Sequence, residues 1–432
     1  MAGRGSASGC EHDVTVRVVV IGGGVVGVTT AYWLALEGLS VTVLEAEPAL
    51  ASLTSYATGG HIAPGHSGAW ASPRSLRTLI RSIYRRDLSY RLHLRPDLDF
   101  ARWVAAYARQ CTPERYRYNT AVKIRLAKYS RERLIEIRGQ NGLTYDDAAQ
   151  GAVFFYRSET GLRAASKRVR LWREAGIDLR VLDSAGLRGL DARLDPIARQ
   201  AAGALYSPVD EVGDTRIFTH RLADIARAHG VEFRLGTRAR RLERDGGSIT
   251  GVSTDTGTLQ AEMFVLATGG ASSELTRGLG FSLPVFPVRG YTVTLPARGD
   301  AIPPIGMVDE EGLVAIARLG DRVRLGGTAE FGRTDRRLDP GGIERLVRIG
   351  RGLFPEGAHW DHPEPYVCLR PMTADGPPVI GRSPISNLFL NVGHGHIGWT
   401  MAAGAGKVVS DLVTGRPPAI DLEGMTLSRS RD

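Results

Sequence analysis

Residues 16–21 read VRVVVI, a β-branched run without the polar alternation of a half-exposed strand, so the pattern predicts a strand buried on both faces of a parallel sheet. The run stops at three glycines. Over residues 25–36 the apolar positions take up helical spacing, with Ala31 and Leu34 among the inward candidates and Gly38 where a C-terminal cap belongs. Residues 41–44 are strand-like again, which completes a strand–helix–strand unit.

Between residues 73 and 141 the pattern is helical and basic, and this breaks the alternation expected of one doubly wound domain, so it reads as inserted material. Strand patterning returns at 151–155; a helix over 218–228 leads to a short strand at 231–235. Residues 238–258 predict a hairpin around Asp245-Gly246-Gly247, followed by a strand at 263–267. The runs 291–295, 313–317 and 323–326, separated by Gly, Asp and Pro turns, predict antiparallel sheet, and 387–392 with 398–412 close the chain as strand and helix. The expected fold class is mixed α/β and α+β: a Rossmann-type domain (14–85 with 205–278 and 366–420) interleaved with an antiparallel-sheet substrate or cap domain (86–204 with 279–365). Residues 1–13 and 421–432 are expected to be flexible tails.

Composition narrows this picture. With 432 residues, 43% of them hydrophobic, the chain is long enough for one large or two interleaved buried cores. Cys10, Cys111 and Cys368 lie far apart, so neither a disulfide framework nor a metal site is written in their spacing, and a reducing cytoplasm is the expected compartment. The opening MAGRGSASGCEHD lacks the apolar centre of a secretory signal, and glycines with Thr29 and Thr30 interrupt the apolar stretch 14–36 before it reaches spanning length. A net charge of +9 suits anionic lipid or acidic substrates; without a zinc-finger, RNP or Lys/Arg-rich tail signature, no nucleic-acid partner is expected.

Gly22, Gly24 and Gly27, with Val25 and Val26 between them, form G-x-G-x-x-G between a strand and a helix, where backbone N–H groups approach a pyrophosphate. Glu45, followed by Ala46, ends the second strand at the spacing that suits both ribose hydroxyls. This fingerprint leaves NAD and FAD open. A late strand running into Ala267, Thr268 and Gly269 is a weak sign of a two-domain flavoprotein. The loop carrying Thr54, Ser55, Thr58, Gly59, Gly60, His61 and Ile62 is too polar and glycine-rich for a core element, and it can wrap a cofactor. Gly395, His396, Ile397, Gly398, Trp399 and Thr400 begin a helix whose positive end suits the charge of a reduced flavin. Gly404-Ala405-Gly406-Lys407 only mimics a phosphate loop, since Met401 stands where its first glycine belongs; helix-packing glycines are the better reading.

The segment LRPMTADGPPVIG (369–381) resembles the R-P-x-T-x-D-G-x-P-x-I-G signature of the D-amino acid oxidase-like flavoproteins. With TSYATGGHIAPG, VRGYTVTLP, GGTAEF and GHGHIGWTMAAGAGK in the same order, the chain is most similar to the bacterial D-amino acid dehydrogenases of small-subunit type, from about residue 16 to 418. The resemblance implies non-covalent FAD, oxidative deamination of a small amino acid to a 2-oxo acid and ammonia, and electron transfer to a quinone-type acceptor. It matches Arg370 to the arginine that holds the substrate carboxylate, a role that suits a planar guanidinium. Thr58, Gly59, His61 and His396 depart from that family's usual Asn, Ala, Gln and Thr, which places the substrate in question. His61 and His396 are candidate catalytic residues facing flavin or substrate, and Tyr291 is a candidate to close the pocket with its hydroxyl. Arg74, Arg77, Arg81, Arg85 and Arg86, interleaved with Leu76, Leu79, Ile80 and Ile83, suggest peripheral contact with the inner face of the cell membrane. Two alternatives stay open: an oxygen-using oxidase of glycine, a cyclic imino acid or an N-alkyl amino acid, and a redox-silent FAD-binding module.

Overall fold

The computed structural model describes residues 16–84 and 89–431. The β-branched run becomes the strand Arg17–Ile21, paired in parallel with Ser40–Leu44 on one side and Met263–Leu266 on the other. Glu232–Arg234 extends the sheet beyond Ser40–Leu44; Leu388–Val392 extends the opposite side and Val379–Arg382 closes that edge antiparallel, making six strands. Val18 and Val20 enter one apolar core while Val19 and Ile21 enter another, so both faces of the strand are covered. Burying each such side chain contributes about 1.5–3 kcal/mol, which is why the run carries no polar alternation.

On the first face pack the helices Val25–Leu36, Thr215–Ala228 and Gly398–Val413, together with the long helix Pro113–Asn141. The long helix starts at Pro113 under a Thr112 cap, whose hydroxyl accepts from the Arg115 N–H, and ends at Gly142 in the left-handed region (φ 59°). Gly404 and Gly406 let three of these helices touch backbone to backbone. A Cβ on Gly406 would stand 2.9 Å from the main chain of Thr29 and Thr30, and one on Gly404 2.7 Å from Ser130 Cα. Packing therefore accounts for the phosphate-loop mimic. On the second face lie the expected hairpin strands Ala239–Asp245 and Ser248–Thr254, turned at Gly246.

The second sheet has nine strands. In order they are Glu364–Thr373, Val285–Pro296, Arg322–Phe331, Val314–Leu319, Gly306–Asp309, Ala152–Tyr156, Gly203–Ser207 and Arg180–Leu182, with Tyr90–Leu92 added against Arg322–Phe331. Most pairs are antiparallel, but two are parallel: Gly306–Asp309 with Ala152–Tyr156, and Tyr90–Leu92 with Arg322–Phe331.

Hydrogen-bond continuity moves several expected boundaries. Glu364–Thr373 and Gly203–Ser207 belong whole to the second sheet, so the breaks expected at 366 and 205 fall inside ladders. The long helix, assigned by sequence to the cap, packs against the helix Gly398–Val413 and joins the core of the dinucleotide sheet through Val122, Leu126 and Ile137. The segment expected as a tail from 421 is anchored instead. Met425 is fully buried, its carbonyl accepts from the Ile380 N–H, and Arg429 pairs with Asp375 at 2.8 Å. Of the basic stretch, Pro73–Arg81 is a helix, while Arg85 and Arg86 lie outside the described residues. Among the described residues no helix is long and apolar enough to cross a membrane.

Candidate active site

A cavity of about 1020 Å³ runs from the glycine fingerprint to the face of the nine-stranded sheet. At its first end Gly22 takes φ +114°, where a Cβ would meet the Ala267 carbonyl, and a Cβ on Gly27 would overlap the Gly22 carbonyl. Helix Val25–Leu36 has neither a capping side chain nor an acid in its first turn. Ser55 Oγ accepts from the Val25 N–H at 3.1 Å; the positive helix end otherwise opens on the cavity. Glu45 accepts from the Gly23 N–H at 2.7 Å and the Glu47 N–H at 2.8 Å, which fixes its carboxylate at the cavity wall. Burial raises the Glu45 pKa against those bonds, so further donors such as a pair of hydroxyls would complete its solvation.

At the other end helix Gly398–Val413 also begins uncapped and without an acid, and residues 395–400 line the cavity. Thr400 Oγ1 accepts from the Ala63 N–H at 3.0 Å, tying the 54–65 loop to this helix. Five residues lining the cavity carry a buried polar atom without a partner: His61 Nδ1, Asn391 Oδ1, His394 Nε2, His396 Nδ1 and Trp399 Nε1. Unmatched buried groups mark the place of a molecule with its own donors and acceptors. A dinucleotide with a polar-edged ring system fits: two uncapped helix ends, a ribose-type carboxylate and orphaned ring nitrogens share one elongated cavity. Both histidines are neutral. Burial pushes His61 down to about 4 and His396 well below its ordinary value, and His61 Nε2 sits 3.2 Å from the Ile316 carbonyl.

Arg370 projects from Glu364–Thr373 over Gly290 of the neighbouring strand, where a Cβ would overlap the guanidinium. Its Nη1 donates to the Thr328 carbonyl at 2.8 Å and its Nη2 to the Gly327 carbonyl at 3.4 Å. Thr328 holds φ 61°, an uncommon conformation for a β-branched residue, and that turn aims its carbonyl at the arginine. Trp70 lies 5.6 Å from the guanidinium and stacks on His396 at 4.4 Å, with Tyr90 tilted against its ring at 5.4 Å. Among the described residues no carboxylate pairs with Arg370. A fixed, unpaired guanidinium in a cavity is a receptor for an anion.

The cavity gathers most of the expected residues: Gly22, Gly24, Val25 and Val26; Glu45 and Ala46; Thr54, Ser55, Thr58, Gly59 and His61; residues 267–269; Arg370; and residues 395–400. Four do not line it. Gly27 serves helix–strand contact, Gly60 (φ +78°) turns the chain beside Leu319, and Ile62 is core. Tyr291 is the larger correction. Strand alternation sends Gly290 toward Arg370 and Tyr291 to the opposite face, where it is fully buried against Gly342 and donates to Glu330 Oε2 at 3.1 Å. It cannot close the pocket. Trp70, Tyr90, Thr328, His66 and Glu310 carry no local signature; they reach the cavity wall from the loop after His61–Ile62 and from separate segments of the nine-stranded sheet.

Below the cavity floor, Asp210 Oδ1 accepts from the Gly65 N–H at 2.8 Å, and burial pushes its carboxyl up to about 7 from 3.8. A raised acid favours the folded state while protonated, so this stability is present below pH 3.8 and lost as pH climbs through about 7. Asp210→Asn, which stays neutral, is expected to raise Tm at pH 8 by several degrees and flatten the pH 4–7 slope, read by thermal denaturation at a series of pH values. An unchanged slope would show that the carboxyl does not titrate there.

The family model described as FAD dependent oxidoreductase (DAO) matches residues 17–412. The D-amino acid dehydrogenase 2 of Mesorhizobium japonicum is 40% identical over 412 residues, covering 95% of this chain and 99% of that protein. The D-amino acid dehydrogenase of Cereibacter sphaeroides is 41% identical over 417 residues, covering 96% and 95%. Among solved structures, glycine oxidase from Geobacillus kaustophilus superposes with TM-score 0.72 at 24% identity over 96% of this chain and 99% of that one. L-proline dehydrogenase from P. horikoshii gives 0.74 at 17% over 96% and 98%. Those two likenesses concern the fold alone, but the family match and the two close relatives together with the cavity leave one assignment: the chain belongs to the DAO family of FAD-dependent oxidoreductases.

Proposed function

We propose that this chain oxidises the carbon–nitrogen bond of a D-amino acid, releasing a 2-oxo acid and ammonia and passing electrons to a quinone-type acceptor. The observation that carries the reading is Arg370, tethered by two carbonyls and without an anionic partner among the described residues. The D-configuration rests on the relatives' activity. Bound FAD supplies the two-electron acceptor that takes the substrate's Cα hydride. The fingerprint N–H groups and Glu45 hold its adenosine end, and residues 395–400 with His61 face the other. Arg370 grips the carboxylate with the donors left free, which fixes where the amine-bearing carbon lies. The substrate binds as the free amine, its proton left in solvent, so its lone pair can form the C=N bond as the hydride departs; His61 and His396, kept neutral by burial, place no negative charge there that would retain that proton. Trp70 and Tyr90 wall the site against water, which hydrolyses the imino acid only afterwards.

Anaerobic mixing of the yellow holoenzyme with D- and L-alanine, glycine, N-methylglycine and proline tests this by loss of flavin absorbance. D-alanine is expected to bleach it and L-alanine not to. Bleaching by glycine or N-methylglycine alone would replace the reading with an amine oxidase, which peroxide release would confirm.

The helix Pro73–Arg81 supports a membrane-dissolved acceptor. Its Ser72, Arg74 and Thr78 side lines the cavity, while Arg77 and Arg81 are exposed with Ile80 (53% exposed), Ile83 (44%) and Tyr84 (86%) close by in the chain. Apolar side chains among arginines suit an anionic lipid surface where a quinone is dissolved. Sedimentation with phosphatidylglycerol vesicles is expected to carry down the wild type and leave an Arg77→Glu, Arg81→Glu, Ile83→Asp variant in solution. Equal sedimentation of both would remove lipid contact by this helix.

A further inference from the structure

The cavity does not end at Arg370. It continues into a chamber walled by Phe154, Tyr156, Trp172 and Leu205, side chains from the strands and helices of the nine-stranded sheet. The chamber carries charge. His66 Nε2 meets Glu310 Oε1 at 2.6 Å, with the imidazole stacked on Phe154 at 4.8 Å. Arg168 lines the same wall, where its Nη1 donates to the Tyr116 hydroxyl at 3.3 Å; no carboxylate lies within ion-pair distance among the described residues. Arg74 lines the cavity too, again without an acidic partner among them.

Charge balance decides what this chamber accepts. Burial opposes ionisation of Glu310, yet the His66 imidazolium, with Arg168 and Arg74 beyond it, holds its carboxyl below the usual value. Burial likewise opposes the His66 charge, and Glu310 more than offsets it. Glu310 is therefore satisfied by His66, while the half-buried Arg168 guanidinium has no carboxylate paired with it among the described residues and Arg74, at the exposed rim, adds positive charge. A cationic substrate side chain would add like charge, and a purely apolar one would further desolvate the half-buried Arg168 without pairing it.

We propose that Arg168 binds an acid group on the substrate side chain, so that this chain prefers dicarboxylic D-amino acids of the D-glutamate and D-aspartate class. The inference rests on the deamination reading, with Arg370 holding the α-carboxylate and Arg168 the second one. Two guanidiniums lining one cavity would hold such a substrate by both of its acid groups.

The test compares D-glutamate, D-aspartate, D-leucine and D-arginine as anaerobic reductants of the holoenzyme, in wild type, Arg168→Gln and Arg168→Lys. The better acidic substrate is expected to exceed D-leucine in kcat/KM by about tenfold or more. Arg168→Gln is expected to collapse that ratio by about 10–100-fold, the loss of one charged hydrogen-bonded contact, mainly through KM, and Arg168→Lys to restore part of it. Calorimetric binding of 2-oxoglutarate and pyruvate to the oxidised holoenzyme reads the same contact without turnover: Arg168→Gln should weaken the first at least tenfold more than the second. An acidic-to-neutral ratio untouched by Arg168→Gln, or a preference for D-arginine, overturns this inference alone. Failure of every amino acid to reduce the flavin overturns the deamination reading and this one with it.

Discussion

Replacing Arg370 by alanine is expected to lower kcat/KM by on the order of 10²–10⁴, with most of the loss in KM. Hydrogen bonds to charged groups contribute about 1.5–3 kcal/mol each, and a carboxylate clamped by two of them loses about 3–5 kcal/mol when both go. The contact is present in the bound substrate as well as during hydride transfer, so its removal weakens binding first. Steady-state kinetics with an artificial quinone measures the effect, and flavin content shows whether the cofactor stays. Gly290 supplies a control for placement. The alanine Cβ at Gly290→Ala would occupy the space of the guanidinium, so the arginine keeps its charge but loses its aim. Both variants should raise KM, and Arg370→Lys should recover little because an ammonium cannot offer two parallel N–H groups. A loss under threefold in Arg370→Ala would mean that the substrate carboxylate binds elsewhere.

The dinucleotide half of this site was legible because its chemistry is local. Gly22 to Gly27, Glu45 and the Gly395 to Thr400 turn each sit within a few residues of the element that aims them, so period and spacing were enough. Arg370 was reached through a motif whose residues occupy one strand and its turn. The misses have a different cause. Tyr291 lies next to Gly290, and only the pleat decides which of the two faces Arg370; a one-residue difference in register reverses the answer. Tyr90 and Glu310 come from separate segments joined by sheet pairing, such as Tyr90–Leu92 lying parallel to Arg322–Phe331, while His66 and Trp70 arrive on the loop that follows His61–Ile62. That pairing spans more than two hundred residues and carries no signature in the chain. The domain boundaries shifted for the same reason, because a ladder of hydrogen bonds ends where its partner ends and not where composition changes.

Cofactor retention offers the other large effect. Gly27→Val is expected to yield protein with little or no bound FAD. Its side chain would be forced into the Gly22 carbonyl, and it is placed where helix Val25–Leu36 leaves the strand Arg17–Ile21. Either the helix end moves away from the turn or the turn opens, and in both cases the N–H groups at the uncapped helix end lose their common focus on the pyrophosphate. Overpacking at such a contact costs about 1–3 kcal/mol in stability, so circular dichroism must accompany the ratio of flavin to protein absorbance. Glu45→Gln separates folding from binding. The amide keeps the size and an acceptor for the Gly23 N–H but gives up the charge, which should weaken FAD by about 10–100-fold with the fold intact. Titration of FAD into the apoprotein, followed by flavin fluorescence, reads that change. Full retention of FAD by folded Gly27→Val and Glu45→Gln alike would move the nucleotide away from this end of the cavity, because among the described residues no other carboxylate stands at hydrogen-bond distance from the backbone of the glycine turn.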